Sequence, residues 1–141
     1  GKTYGWYEAY QMDDAEVALV VMSSTAGTAR GVVDALRAEG KKVGLLKPRY
    51  FRPFPADAYV EALKGVKTAV VMDRAIGFGQ EGGALFSELS SALYHRQGQT
   101  RLQSVLFGLG GRDITPEDIR GIFTDALSGD SRLVKYVGVR E

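Results

Sequence analysis

Gly77-Phe78-Gly79-Gln80-Glu81-Gly82 has the spacing G-x-G-x-x-G, between an apolar run, Thr68 to Asp73, and a helical pattern carrying Leu85, Leu89 and Leu93. Glycines between a strand and a helix are the setting in which helix amides receive a pyrophosphate. Two features count against that chemistry here. The motif stands in the third strand-to-helix turn, not the first, and no acidic residue ends the next strand, where a ribose hydroxyl would be held. Glu81 would also place a negative charge beside the phosphates. The reading is a tight turn that allows close packing, shaped by Gly77, Gly79 and Gly82.

Other reactive types are sparse. Ser23-Ser24-Thr25 ends the first long apolar run, and such hydroxyls cap helices more often than they cradle phosphate. The only histidine, His95, falls near the end of a surface helix, and there is no G-x-S-x-G elbow, so neither a Ser-His-Asp triad nor a histidine metal site is expected. The chain has no cysteine, which excludes disulfides, thiolate nucleophiles and cysteine-held zinc or iron–sulfur clusters within it. Glu117 and Asp118 read as helix-start carboxylates, and Asp13, Asp14 and Glu16 as a solvated turn. No set of residues assembles into a catalytic constellation.

The bulk properties fit one globular domain. With 141 residues, 45% hydrophobic and 25% charged, the chain can bury roughly two-thirds of its unfolded surface. A formal net charge of +1 gives no general case for nucleic acid or an acidic membrane as partner. The longest apolar run is far short of the ~20 residues that cross a bilayer. With no signal peptide and no cysteine, a cytoplasmic location is expected. Gly1 in place of an initiator methionine suggests a processed product, a cloned fragment or a trimmed tag.

The elements that must position these residues follow from the apolar periods. Val17 to Met22 is a continuous apolar run suited to a strand covered on both faces. The pattern Ala29, Val32, Val33, Leu36 makes the next segment a helix, with Gly40 as its left-handed stop. Val43 to Lys47 is the next strand. Pro48 to Pro55, P-R-Y-F-R-P-F-P, holds three prolines and reads as an extended loop, with Pro55 opening a helix that has Tyr59, Val60 and Leu63 on one face and stops at Gly65. Thr68 to Asp73 and Leu102 to Phe107 are further core strands. Thr115, Pro116 and Asp118 mark a helix start, with Ile114 placed to staple to Ile119 and a buried stripe of Ile122, Phe123 and Leu127. The aromatic stretch Thr3 to Tyr10 reads as one edge strand, and Arg132 to Glu141 as a tail. The sum is α/β: a three-layer α/β/α sandwich with four mainly parallel strands, right-handed crossovers and an antiparallel edge strand. Residues 1–128 form the domain and 129–141 the C-terminal tail.

Four strings carry a resemblance to a known family: D-D-A-E-V-A-L-V-V-M-S-S-T-A-G-T-A, L-L-K-P-R-Y-F-R-P-F-P, V-M-D-R-A-I-G-F-G-Q-E-G-G and F-G-L-G-G-R-D-I-T-P-E-D-I. In this order, across Tyr4 to Leu127, they resemble the α subunit of pyruvate:ferredoxin and related 2-oxoacid:ferredoxin oxidoreductases, in its transketolase C-terminal-like domain. The resemblance implies a five-stranded mixed sheet of order 1-3-2-4-5 with the first strand antiparallel. It implies oxidative decarboxylation of a 2-oxoacid with coenzyme A, or the reverse synthesis, with electrons exchanged with ferredoxin. Thiamine diphosphate, magnesium and iron–sulfur clusters are expected elsewhere in the complex and no cofactor in this chain. The expected role is therefore structural, within a complex of other domains and subunits. The alternatives are the equivalent domain of a transketolase or 2-oxoacid dehydrogenase, and a free-standing nucleotide-binding module.

In a parallel sheet the loops after the strands gather along one edge. Here those loops carry Arg49 and Arg52, then Arg74, then Arg112, with Tyr50, Phe54 and Phe78 among them. Arginine with aromatics is the composition of interface hot spots, and guanidinium forks suit carboxylates and phosphates. This edge is expected to dock the pyrimidine-binding domain that the resemblance implies upstream of this chain, or another subunit, with coenzyme A as the weaker candidate. Gly108, Gly110, Gly111 and Asp113 are expected to shape the last of these loops.

Overall fold

The computed structural model describes residues 2–3, 7–21, 25–48, 56–74, 84–107, 114–129 and 134–136. In chain order the elements are β1 (Lys2–Thr3), β2 (Tyr7–Tyr10), β3 (Val17–Val21), α1 (Thr25–Ala38), β4 (Val43–Pro48), α2 (Ala56–Ala62), β5 (Thr68–Arg74), α3 (Ala84–His95), β6 (Arg101–Phe107), α4 (Pro116–Leu127) and β7 (Val134–Tyr136). They form one sheet in the order β1-β2-β4-β3-β5-β6-β7. Its middle five strands are the expected 1-3-2-4-5 arrangement: β2 runs antiparallel to β4, while β3, β4, β5 and β6 are mutually parallel.

The sheet separates two apolar clusters, because successive strand residues face opposite ways. On the first face Val17, Leu19, Val21, Val70, Met72, Val105 and Phe107 pack under α1 and α4. On the second, Ala18, Val20, Leu46, Ala69, Val71 and Leu102 pack under α2 and α3. All five residues of β3 are buried, as expected for a strand covered on both sides. In α4 the fully buried Phe123 is a measure of what the first layer contributes: truncation of such a residue to Ala costs about 3–5 kcal/mol.

The helix ends follow local chemistry. Gly40 has φ +86, its amide donates to the Arg37 carbonyl at 2.9 Å, and the Lys41 amide donates to the Leu36 carbonyl at 3.0 Å. That is a Schellman closure, which needs the left-handed residue glycine supplies. At α4 the Asp118 amide donates to Thr115 Oγ1 at 3.1 Å, and the Thr115 amide donates back to Asp118 Oδ2 at 3.0 Å, the expected capping box. Ile114 packs against the cluster that holds Ile119.

Several details depart from the sequence-based expectations. The Thr3 to Tyr10 stretch is not one strand: β1 and β2 pair with each other antiparallel. Pro48 closes β4 opposite Tyr7 instead of opening the loop; a proline is tolerated at such a strand end. Leu127 is one of the two exposed large apolar side chains among the described residues, and Ile119 and Ala126 complete the α4 stripe in its place. The tail contributes β7, three residues parallel to β6.

That last strand enters by an unusual route. The steps β4 to β5 and β5 to β6 run one way across the sheet with their helices on the second face, and β3 to β4 runs the other way with its helix on the first. Those three crossovers therefore share one hand. The step β6 to β7 runs the same way as β5 to β6, yet α4 lies on the first face, so this crossover has the opposite hand. Nearly all parallel crossovers are right-handed. The exception is physically affordable here because the apolar stripe of α4 completes the layer beside α1, a larger gain than a three-residue ladder.

Candidate functional site

The four parallel strands end on one side, at Pro48, Val21, Arg74 and Phe107 in sheet order. With neighbouring strands ~4.8 Å apart, the ends of β4 and β6 lie about 14 Å from each other. Helices α1, α3 and α4 begin on this side; the first turn of α1 holds no acid, whereas Asp73 and Asp118 carboxylates accept from amides at the starts of α3 and α4. Of the expected edge residues, the structure places Arg74, the last residue of β5, in register with Phe107. Arg49, Tyr50, Arg52, Phe54, Phe78, Arg112, Gly77, Gly79, Gly82, Gly108, Gly110, Gly111 and Asp113 lie outside the described residues. The strands that their loops leave, β4, β5 and β6, do end along this one edge.

Three described groups finish the edge. Thr25, in the first turn of α1, is buried; Ser23 and Ser24 lie outside the described residues. Tyr7, opposite Pro48, packs its ring on Tyr59 of α2 with centroids 5.5 Å apart. Tyr59 is fully buried, and burial, with a smaller effect from Tyr7, pushes its phenol up to about 12, so it stays a neutral donor. The third is Asp73, one residue before the end of β5. Its Oδ1 accepts from the Leu85 amide at 3.0 Å and its Oδ2 from the Phe86 amide at 3.1 Å. Burial raises the pKa of this carboxyl, and the two amide bonds oppose that rise.

Sequence reasoning did not assign Asp73 a role. The available signal was period-2 alternation: Asp73 follows Ala69 and Val71 on the face where α3 packs. Asp14 and Glu16, read as a solvated turn, are ion-paired, with Arg37 at 2.7 Å and Lys67 at 3.0 Å. His95 is exposed at the end of α3, as expected, and stacks edge-on with Tyr94. In the core, the hydroxyl of Ser104 in β6 has no hydrogen-bond partner among the described residues.

The whole chain lacks cysteine, and no three His, Asp or Glu side chains among the described residues are grouped to hold a metal. No helix among them is long and apolar enough to cross a membrane.

Comparison with known proteins adds the family. The chain is 47% identical to the pyruvate synthase subunit PorA of Thermotoga maritima, covering 100% of this chain and 36% of that protein. It is 45% identical to the ketoisovalerate oxidoreductase subunit VorA of Pyrococcus furiosus, covering 84% of this chain and 30% of that one. The chain thus spans about a third of the length of these curated relatives. A solved 2-oxoglutarate:ferredoxin oxidoreductase from Magnetococcus marinus, with 2-oxoglutarate, coenzyme A and succinyl-CoA bound, shares the fold, with a TM-score of 0.62 and 24% identity over 86% of this chain and 20% of that one. The family described as pyruvate:ferredoxin oxidoreductase core domain II matches residues 15–119, and the chain belongs to it.

Proposed function

We propose that this chain is a structural and assembly domain of a thiamine-diphosphate-dependent 2-oxoacid:ferredoxin oxidoreductase, and that it is not catalytic by itself. The observation that carries this reading is a match over the whole chain to a pyruvate synthase subunit, and over 84% of it to a ketoisovalerate oxidoreductase subunit, that leaves about two-thirds of each relative unaccounted for. The whole enzyme would convert pyruvate, or a related 2-oxoacid, and coenzyme A to an acyl-CoA and carbon dioxide with electrons to ferredoxin, or run in reverse. Thiamine diphosphate with magnesium supplies the decarboxylation chemistry, and iron–sulfur clusters the electron path. Their ligands belong to other parts of a cytoplasmic complex, since this chain lacks thiolates and a G-D-G metal-binding string. Membership of the core domain II family favours this reading over a transketolase or 2-oxoacid dehydrogenase domain.

Within that complex, the carboxyl edge of the sheet is the docking side. The adjoining loops carry Arg49, Arg52 and Arg112, with Arg74 at the end of β5, and the start of α1, with no acid in its first turn, adds positive potential. The partner is another domain of the same polypeptide or another subunit; the phosphates of coenzyme A are the second candidate. The test is charge reversal of Arg49, Arg52 and Arg74 in the full complex. Weakened assembly, or a raised coenzyme A requirement, is expected while the domain remains folded. Unchanged assembly and unchanged coenzyme A dependence in a folded variant would refute the docking side.

A further inference from the structure

We infer that Asp73 is a built-in clasp that locks the start of α3 to the end of β5 and closes that end of the helix to outside anions. The first amides of a helix have no partner within the helix and point along its axis. Two consecutive ones, on Leu85 and Phe86, are taken here by the two oxygens of a single carboxylate, at 3.0 and 3.1 Å. A bound phosphate would use the same amides and the same dipole. The acid that uses them comes from the neighbouring strand, twelve and thirteen residues earlier in the chain, so it is no ordinary N-cap.

The fold explains how a remote residue reaches this position. Ala69 and Val71 belong to the same apolar cluster as Leu85, Phe86 and Leu89 of α3, and alternation puts Asp73 next in that row. Leu85 and Phe86 are themselves buried, so water competes poorly for their amides. A hydrogen bond to a charged acceptor is stronger than a neutral one, and stronger again in a low-dielectric setting. The clasp therefore ties strand to helix whatever the conformation of the residues between them. It also bears on the G-x-G-x-x-G motif at Gly77 to Gly82. In a dinucleotide site the helix after such a motif offers its amides to the ligand; in this chain two amides in the first turn of that helix are already taken. The inference goes beyond the proposed function and does not depend on it.

The test compares the wild-type chain with Asp73→Ala, using inorganic phosphate as the anion and chloride at the same ionic strength as the control. The wild type is expected to show no phosphate-specific change in Tm and no saturable movement of the Leu85 and Phe86 amide resonances. Asp73→Ala is expected to melt roughly 5–10 °C lower and to regain part of that loss in phosphate. Its Leu85 and Phe86 amides should then move together as phosphate is added. If Asp73→Ala does not fold, Asp73→Asn, which keeps one acceptor oxygen and the shape, should fold with a lowered Tm and displaced Leu85 and Phe86 amides. Saturable phosphate binding at those amides in the wild type would overturn the inference. So would an Asp73→Ala variant that melts like the wild type, or an Asp73→Asn variant with unmoved Leu85 and Phe86 amides.

Discussion

Arg37 in the last turn of α1 reaches Asp14 in the turn between β2 and β3, Nη2 to Oδ1, at 2.7 Å. The ion pair is the outer part of a larger tether. The same Nη2 donates to the Gln11 carbonyl at 2.8 Å, and Nε donates to the Val43 carbonyl at 2.9 Å. One guanidinium thus joins a turn, a helix end and the first residue of β4. Gln11 is held at φ +57, a conformation that non-glycine residues seldom adopt.

Because its other two bonds go to backbone carbonyls, Arg37 should matter more than its carboxylate partner. Arg37→Ala is expected to lower stability by about 1–3 kcal/mol, and Asp14→Asn by clearly less. Urea unfolding of both variants checks this, and equal losses would show that the carbonyl contacts are idle.

The acid side of the stability curve follows from the same turn. Hydrogen bonding to Arg37 holds Asp14 below its ordinary 3.8, and Lys67 does the same for Glu16 against 4.5. A depressed folded pKa stabilises above the ordinary value, and that contribution is lost as pH falls through the folded pKa. The penalty of Asp14→Asn or Glu16→Gln should therefore shrink as pH drops below about 4. Urea unfolding of the two amide variants at neutral and at acid pH is the measurement; a penalty that does not change with pH would contradict the pairing.

Two glycine-to-alanine changes should have opposite signs. A Cβ on Gly44 would sit 2.7 Å from the Gln11 carbonyl oxygen and 2.8 Å from Met12 Sδ. Met12 can shift, but the Gln11 carbonyl is held by Arg37, so Gly44→Ala is expected to destabilise by about 1–3 kcal/mol. Gly121 on the exposed side of α4 has nothing within 4 Å, so Gly121→Ala should stabilise by roughly 0.5–1 kcal/mol through helix propensity. Thermal melts of the pair are the measurement; two changes of the same sign would refute the packing around Gly44.

Much of this architecture was legible in the residues. The apolar run of β3, the left-handed Gly40 and Gly65, and the Thr115–Asp118 box are local signals, and each stood where the chemistry put it. What escaped is what depends on distance in sequence. Asp14 and Glu16 stay solvated, as read, but their ion pairs exist only because α1 and the start of β5 return beside them. Asp73 looks like an ordinary strand end until α3 folds back onto its face. The ladder of β7 is three residues long, too short to carry a period, and its place is set by β6. At the edge, the loops that carry the arginines follow strands whose ends lie along one side.

The central claim is that this domain supports the chemistry of a larger enzyme without holding its cofactor. Calorimetric titration of the 141-residue chain with thiamine diphosphate and magnesium tests this most directly. The account predicts no saturable heat and no pyruvate-dependent reduction of a ferredoxin by the same sample. Saturable binding of thiamine diphosphate at micromolar concentration would contradict it.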